Sequence, residues 1–291
     1  MAVTLQPYYL GALFERCRRL WNRAVWLVQP QQRDKSRMCG RYMVISSPEA
    51  FRRLFGYFEQ PNFPPRYNVA PTQPIPVVRV VEGRRQFALV RWGLIPPWVK
   101  DPRKFTLLIN ARAESVNDKP AFRYPMRRRR CLMPADGFYE WQNEGGLKRP
   151  YCVRPKDRRA IAFAGLWETW IGPNGEEVET AAIITTNASR DLAALHDRMP
   201  VVVPQDAFDF WLDCRNVDAT MAGTLLAPAA EGMFDAYPVS PAVNRAENDD
   251  PALIEPVSSQ QSAAAAVEAD VSAPARREKK PKKDERQSSL F

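Results

Sequence analysis

Apolar and polar residues alternate through most of the middle of this chain, and a two-residue period marks half-buried strands. "CGRYMVI" reads as a strand, and "PIPVVRVVEGRRQFALVRWG" as a hairpin about a Glu-Gly turn. Further strands are expected at "RCLMPADGFYEW", "PYCVR", "IAFAGLWETW" and "TAAIITT", with "GPNGEE" as the turn between the last two. Helical signals are fewer. "SSPEAFRRLFG" carries Ser47 as N-cap, Pro48 at the first helical position and Gly56 at the close. Short helices are also expected at 190–195 and 205–212. Strands dominate without a regular strand–helix alternation, and no repeat is visible. The pattern predicts an α+β fold: a single domain on mainly antiparallel, barrel-like β-sheet, with peripheral helices.

The two ends break this pattern. Residues 1–38 include "YYLGALFERCRRLWNRAVWLV", an apolar stripe interleaved with arginines that suits an amphipathic helix. The segment is Arg-rich and acid-poor, yet lacks the apolar stretch and small-residue cleavage site of a secretory signal. A start assigned too far upstream, or removal of the segment, accounts for it. Residues 258–291 have almost nothing to bury before Phe291, so a disordered basic tail is expected.

Composition narrows the partners only after the ends are set aside. Of the 291 residues, 45% are hydrophobic, enough for one substantial core, and the net charge is +9. Most of that charge lies in the two end segments, leaving the body, 39–257, nearly neutral. No apolar run approaches the roughly 20 residues that span a bilayer, so no membrane partner is expected. The five cysteines are widely spaced and the chain holds a single histidine. That pattern supports neither a zinc site nor a disulfide framework and suits a reducing, cytoplasmic setting.

Several residues could carry chemistry, each with a plainer reading beside it. Asn110, Arg112 and Glu114 sit together in "LLINARAES". Glu140 ends "ADGFYEW" between two aromatic residues, where simple alternation could point it to solvent. His196, the single histidine, is by burial habit more often structural than catalytic. Cys39 alone would be a small core residue. Arg127 to Arg130 form either a solvated loop or a phosphate contact. Trp92 and Trp98, in "RWGLIPPWVK", are core anchors or platforms for unstacked bases.

Together these segments say more. "MCGRY", "RYNVAPTQ", "RWGLIPPW", "INARAES", "CLMPADGFYEW" and "HDRMPVV", in this order, resemble the SOS response-associated peptidase family, with the likeness running from Cys39 to about Val257. The resemblance implies that Cys39, as the first residue of the mature protein, crosslinks to abasic sites in single-stranded DNA. It implies that Asn110 holds the reacting end, that Glu140 is the acid/base group, and that His196 assists proton transfer and meets a flanking phosphate. Arg41, Arg112 and Thr185 would grip the DNA backbone, and Trp98 would lie against the bases. Self-removal of the residues before Cys39, no cofactor or metal, and action as a monomer follow from the same likeness. Rival readings are a thiol peptidase acting on other proteins through Cys39, His196 and Asn110, or a noncovalent single-strand-binding module.

Overall fold

The computed structural model describes residues 39–258. The expectations for 1–38 and for the tail beyond 258 lie outside the described residues. In chain order the first strands are β1 (Tyr42–Val44), β2 (Arg66–Val69), β3 (Pro74–Val81), β4 (Arg84–Trp92), β5 (Asn110–Arg112), β6 (Arg130–Ala135) and β7 (Gly137–Glu144). They are followed by β8 (Leu147–Pro155), β9 (Ile161–Ile171), β10 (Glu177–Asn187), β11 (Arg198–Pro200), β12 (Val202–Val203) and β13 (Phe234–Pro238). The helices are α1 (Pro48–Phe55), α2 (Pro120–Arg128), α3 (Phe208–Leu212) and α4 (Ala219–Gly223).

Five strands close on themselves. β10 pairs with β4, β4 with β3, β3 with β6, β6 with β9, and β9 returns to β10. The ring is a small barrel, and closure removes free edges that would invite aggregation. Its one parallel pairing, β10 with β4, departs from the otherwise antiparallel pattern. β5 also lies parallel on β10, with Asn110 opposite Ile183 and Arg112 opposite Thr185. The second sheet is antiparallel, in the order β13-β8-β7-β1-β2.

The local signals act as expected in the first helix and hairpin. Ser47 accepts from the Ala50 amide at the start of α1, and Gly56 closes it in the left-handed region at φ 71°. Glu82 and Gly83 both take positive φ at the β3–β4 turn. That matches the primed turns that suit strand twist. The run "RCLMPADGFYEW" divides at Asp136, with β6 in the barrel and β7 in the second sheet. Asp136 accepts from the Ser46 amide at 2.9 Å and also from the Ser46 hydroxyl and the Ile45 amide. The crossing between sheets is thereby tied to the end of β1. Tyr42 packs edge-on to Trp92 (5.2 Å) and to Phe163 (6.0 Å), and Phe138 meets Phe163, so both sheets share one core.

Two local expectations change. Residues 190–195 form successive turns rather than a helix. Their amides bond back to carbonyls both three and four residues earlier, too irregularly for a helical ladder. The arginine run is neither a loop nor one patch. Arg127 and Arg128 end α2, and Arg129 pairs with Glu168 at 2.6 Å. Arg130 is buried, donating to the carbonyls of Met126, Trp211, Asp213 and Val217. A buried guanidinium needs its donors satisfied, and here main-chain carbonyls do that, joining α2 to α3.

Candidate active site

Cys39 precedes β1 and is 1% exposed. Its neighbours hold it from both sheets. The Cys39 amide donates to Glu140 Oε1 at 2.9 Å, and Asn110 Nδ2 donates to the Cys39 carbonyl at 3.1 Å. Glu140 comes from β7 of the second sheet, whereas Asn110 comes from β5 on the barrel. Both polar groups of the Cys39 main chain are thus gripped by side chains far away in sequence. Arg41 anchors the segment from below. Its guanidinium donates to Asn68 Oδ1 (2.8 Å) and to the carbonyls of Val243 (2.7 Å) and Asn244 (3.0 Å).

Glu140 follows the strand alternation but not to solvent. It shares a face of β7 with Phe138, whose ring lies in the core, and Glu140 itself is 2% exposed. Burial pushes its carboxyl up to about 8, against the opposing pull of the Cys39 and Trp141 amides; the Asp197 carboxylate adds a smaller upward push. Burial also drives the Cys39 thiol well above its ordinary range, and Glu140 reinforces that shift. The thiol at rest is therefore neutral, with only a long contact from Sγ to the Arg41 carbonyl at 3.8 Å.

His196 ends the 190–195 turns. Its Nδ1 accepts from the Arg198 amide at 3.0 Å, which in the neutral ring leaves the proton on Nε2. Asp197 Oδ1 lies 3.2 Å from the same Nδ1, ready to pair if the ring becomes cationic. Among the described residues there is no hydrogen bond between Cys39 Sγ and His196.

The expected DNA contacts sit in different settings. Trp98 is 54% exposed, while its neighbours Ile95 and Val99 pack with Trp170 beneath the loop. Trp92 is buried, with Nε1 donating to the Ile109 carbonyl. Arg112 is exposed on β5. Thr185 is buried opposite it, with its hydroxyl 3.4 Å from the Ala111 carbonyl. Arg41 spends its donors on the protein itself. Among the described residues, no group of three His, Cys, Asp or Glu side chains is placed to hold a metal ion.

Three supporting residues were not legible from the motifs. Arg198 donates to both Glu114 oxygens (2.5 and 3.0 Å), to Asn187 Oδ1 and to the Thr185 carbonyl. It ties the His196 segment to β10 and to the 3-10 turn, Ala113–Ser115, that follows β5. Asn68 is fully buried, and its Nδ2 donates to Val243, Arg245 and Asn248 carbonyls. Asp249 receives Arg66 Nε and the Tyr67 and Asn68 amides. An asparagine amid apolar neighbours in "RYNVAP" and an aspartate pair in "NRAENDDP" were the available signals.

A buried cysteine is held by a carboxylate and an amide where a small barrel meets a second sheet. Residues 38–246 match the SOS response associated peptidase (SRAP) family, and the chain belongs to it. It is 38% identical over 222 residues to the Bacillus subtilis "abasic site processing protein YoqW", covering 75% of this chain and 99% of that protein. It is 32% identical over 264 residues to the Gallus gallus "abasic site processing protein HMCES", covering 76% of this chain and 78% of that one. A solved structure of a Bacteroides thetaiotaomicron protein superposes with TM-score 0.68 at 28% identity, over 76% of this chain and all of the other.

Proposed function

We propose that this protein processes abasic sites in single-stranded DNA by joining them covalently to Cys39. The observation that carries this reading is the placement of Glu140 Oε1 at 2.9 Å from the Cys39 nitrogen. An abasic deoxyribose opens to an aldehyde, and a terminal α-amine is the protein's best amine to capture it. With a pKa of about 7.7–8.0, about a tenth of it is free base near neutral pH, against well under a thousandth of a lysine. The amine adds to the aldehyde carbon, water leaves, and a Schiff base forms. The Cys39 thiol then adds to the imine carbon, its proton passes to nitrogen, and a five-membered thiazolidine closes.

Glu140 serves this sequence as the proton carrier. With its carboxyl raised toward neutrality, it can hold a proton without pinning the amine as an ammonium, then give it to the departing hydroxyl. Asn110 fixes the Cys39 carbonyl, so the nitrogen and thiol present one geometry to the sugar. His196, with Nε2 as donor, is suited to a sugar hydroxyl or phosphate oxygen. Trp98 and Arg112, both exposed, would meet bases and backbone.

Cys39 must first become terminal, because an amide nitrogen cannot form the imine. The same arrangement suits self-cleavage. Cys39 Sγ attacks the preceding carbonyl as its proton passes to Glu140, the C–N bond breaks, and Glu140 hands that proton to the leaving nitrogen. Water then hydrolyses the thioester, releasing the upstream segment as a carboxylate and restoring the thiol.

The test uses protein whose first residue is verified as Cys39 by intact mass. Incubation with a single strand bearing one abasic site should give a heat-stable crosslink on a denaturing gel, absent in Cys39→Ala. Binding without a crosslink from wild-type protein refutes the reading. The thiol-peptidase alternative lacks the Cys–His contact that would activate its sulfur.

A further inference from the structure

α2 carries a charge pattern that the site does not use. Its sequence, "PAFRYPMRR", has three arginines and no acid, and Lys119 immediately precedes it. Lys119, Arg123 and Arg127 recur at four-residue spacing, so along the helix they follow one another on one face about 6 Å apart. All three are exposed, as are Arg128 and Arg215. At the end of the helix, Arg127, Arg128 and Arg215 line a cavity of about 370 Å³, together with Asn117 and Thr220. The single carboxylate there, Asp218, is engaged in capping α4 through the Met221 amide at 2.8 Å. Among the described residues, none pairs with the side chains of Lys119, Arg123, Arg127, Arg128 or Arg215.

Unpaired like charges in a row repel one another, which costs stability unless an anion fills the gap. Elsewhere Arg85, Arg103 and Arg159 each have a carboxylate, while other exposed cations such as Arg53 and Arg84 stand singly, away from the row. The row also follows directly in sequence on the strand that carries Asn110. β5 places Asn110 on Cys39, and the chain passes through a tight 3-10 turn, Ala113–Ser115, to Lys119. The seven residues from Arg112 to Lys119 span at most about 25 Å, and the turn shortens that. Repeating phosphates are the anion that such a row of cations fits, with each arginine able to meet one bidentately and Lys119 adding a point charge.

We propose that Lys119, Arg123, Arg127, Arg128 and Arg215 form a phosphate-binding track that holds the DNA strand flanking the lesion. This extends the proposed function and rests on it. The track adds affinity and salt dependence in proportion to the length of strand it covers. It takes no part in the covalent step.

The test compares wild type with the triple variant Arg123→Glu, Arg127→Glu, Arg215→Glu. A control triple, Arg53→Glu, Arg84→Glu, Lys156→Glu, makes the same charge change at exposed positions outside the track. Binding is measured to single strands of about 5 and about 20 nucleotides carrying a tetrahydrofuran abasic analogue, extended on either the 5′ or the 3′ side. For the long strands, the track variant should lose roughly tenfold in affinity. Its log K against log salt slope should be shallower by about 2, as three lost phosphate contacts require. The short strand and the control variant should be unaffected. Equal long-strand affinity and slope in wild type and track variant, for both extensions, overturns the track, as does an equal loss in the control. Crosslinking of wild type to a short strand with a true abasic site is read separately. Its absence overturns the proposed function and leaves the length comparison standing.

Discussion

At the residue scale, the decisive pair is the Cys39 nitrogen and the Glu140 carboxyl. A buried carboxyl raised to about 8 makes the fold sensitive to pH in an unusual direction. Between about 4.3, the ordinary glutamate value, and about 8, the unfolded chain has lost the proton that the folded chain keeps. The folded state binds more protons in that window, so stability falls as pH rises through it. Glu140→Gln removes this dependence. In chain that retains residues before Cys39, the wild type should lose stability relative to Glu140→Gln between about pH 5 and about pH 8. The difference should be on the order of a few kcal/mol, read from denaturant melts. Asn110→Ala should act differently, leaving the pH dependence intact. By loosening the Cys39 carbonyl it should slow single-turnover crosslinking between about tenfold and a hundredfold.

At the element scale, short segments are held by single side chains instead of by regular structure. The 190–195 turns cannot hold His196 through a helical ladder. The segment after them is fastened by Arg198 to Glu114, Asn187 and Thr185. Arg198→Ala should cost about 2 kcal/mol in stability, because a mostly buried charged hydrogen-bond hub is lost. Its crosslinking rate should fall further than its DNA affinity, which separates positioning from phosphate contact. Asn68→Ala tests the other fastening, between β2 and the strap at 243–249. Val243 keeps the Arg41 guanidinium and Arg245 keeps the Asn248 amide, so the Asn248 carbonyl is the one left without this donor, at a cost of about 1–3 kcal/mol. Hydrogen exchange should rise first in 243–249, since Asn68 supplies the donor to three of its carbonyls.

At the scale of the whole molecule, barrel and second sheet share an aromatic core through Tyr42, Trp92, Phe138 and Phe163. Phe163→Ala should destabilise by about 3–5 kcal/mol. Hydrogen exchange should show both sheets loosening together, because the ring touches residues of each. The site depends on this coupling, with Glu140 arriving on one sheet and Asn110 on the other. Much of that assembly could be read beforehand. The α1 cap, the β3–β4 turn and the long strands β9 and β10 were legible because each is set by residues within a few positions. Motif order also named Cys39, Asn110 and Glu140, and the fold brings the last two within hydrogen-bond reach of Cys39, whereas no hydrogen bond among the described residues joins His196 to Cys39. The division of "RCLMPADGFYEW" between two sheets was not legible, because both halves carry strand-like residues and only Asp136 marks the crossing. Arg130 also escaped, since an arginine run looks alike whether its members face solvent or carbonyls.

Local spacing and residue type determined which segments are strands, which helix is capped and which residues could react, because those preferences act over a turn or a pair of strands. Tertiary structure alone decided that the β10–β4 pairing closes a barrel and that Glu140 faces the core and not solvent. It also decided that the Cys39 nitrogen lies on a carboxylate 101 residues away. These depend on long-range packing, in which a side chain's charge state and partners are set by whatever the rest of the chain brings beside it.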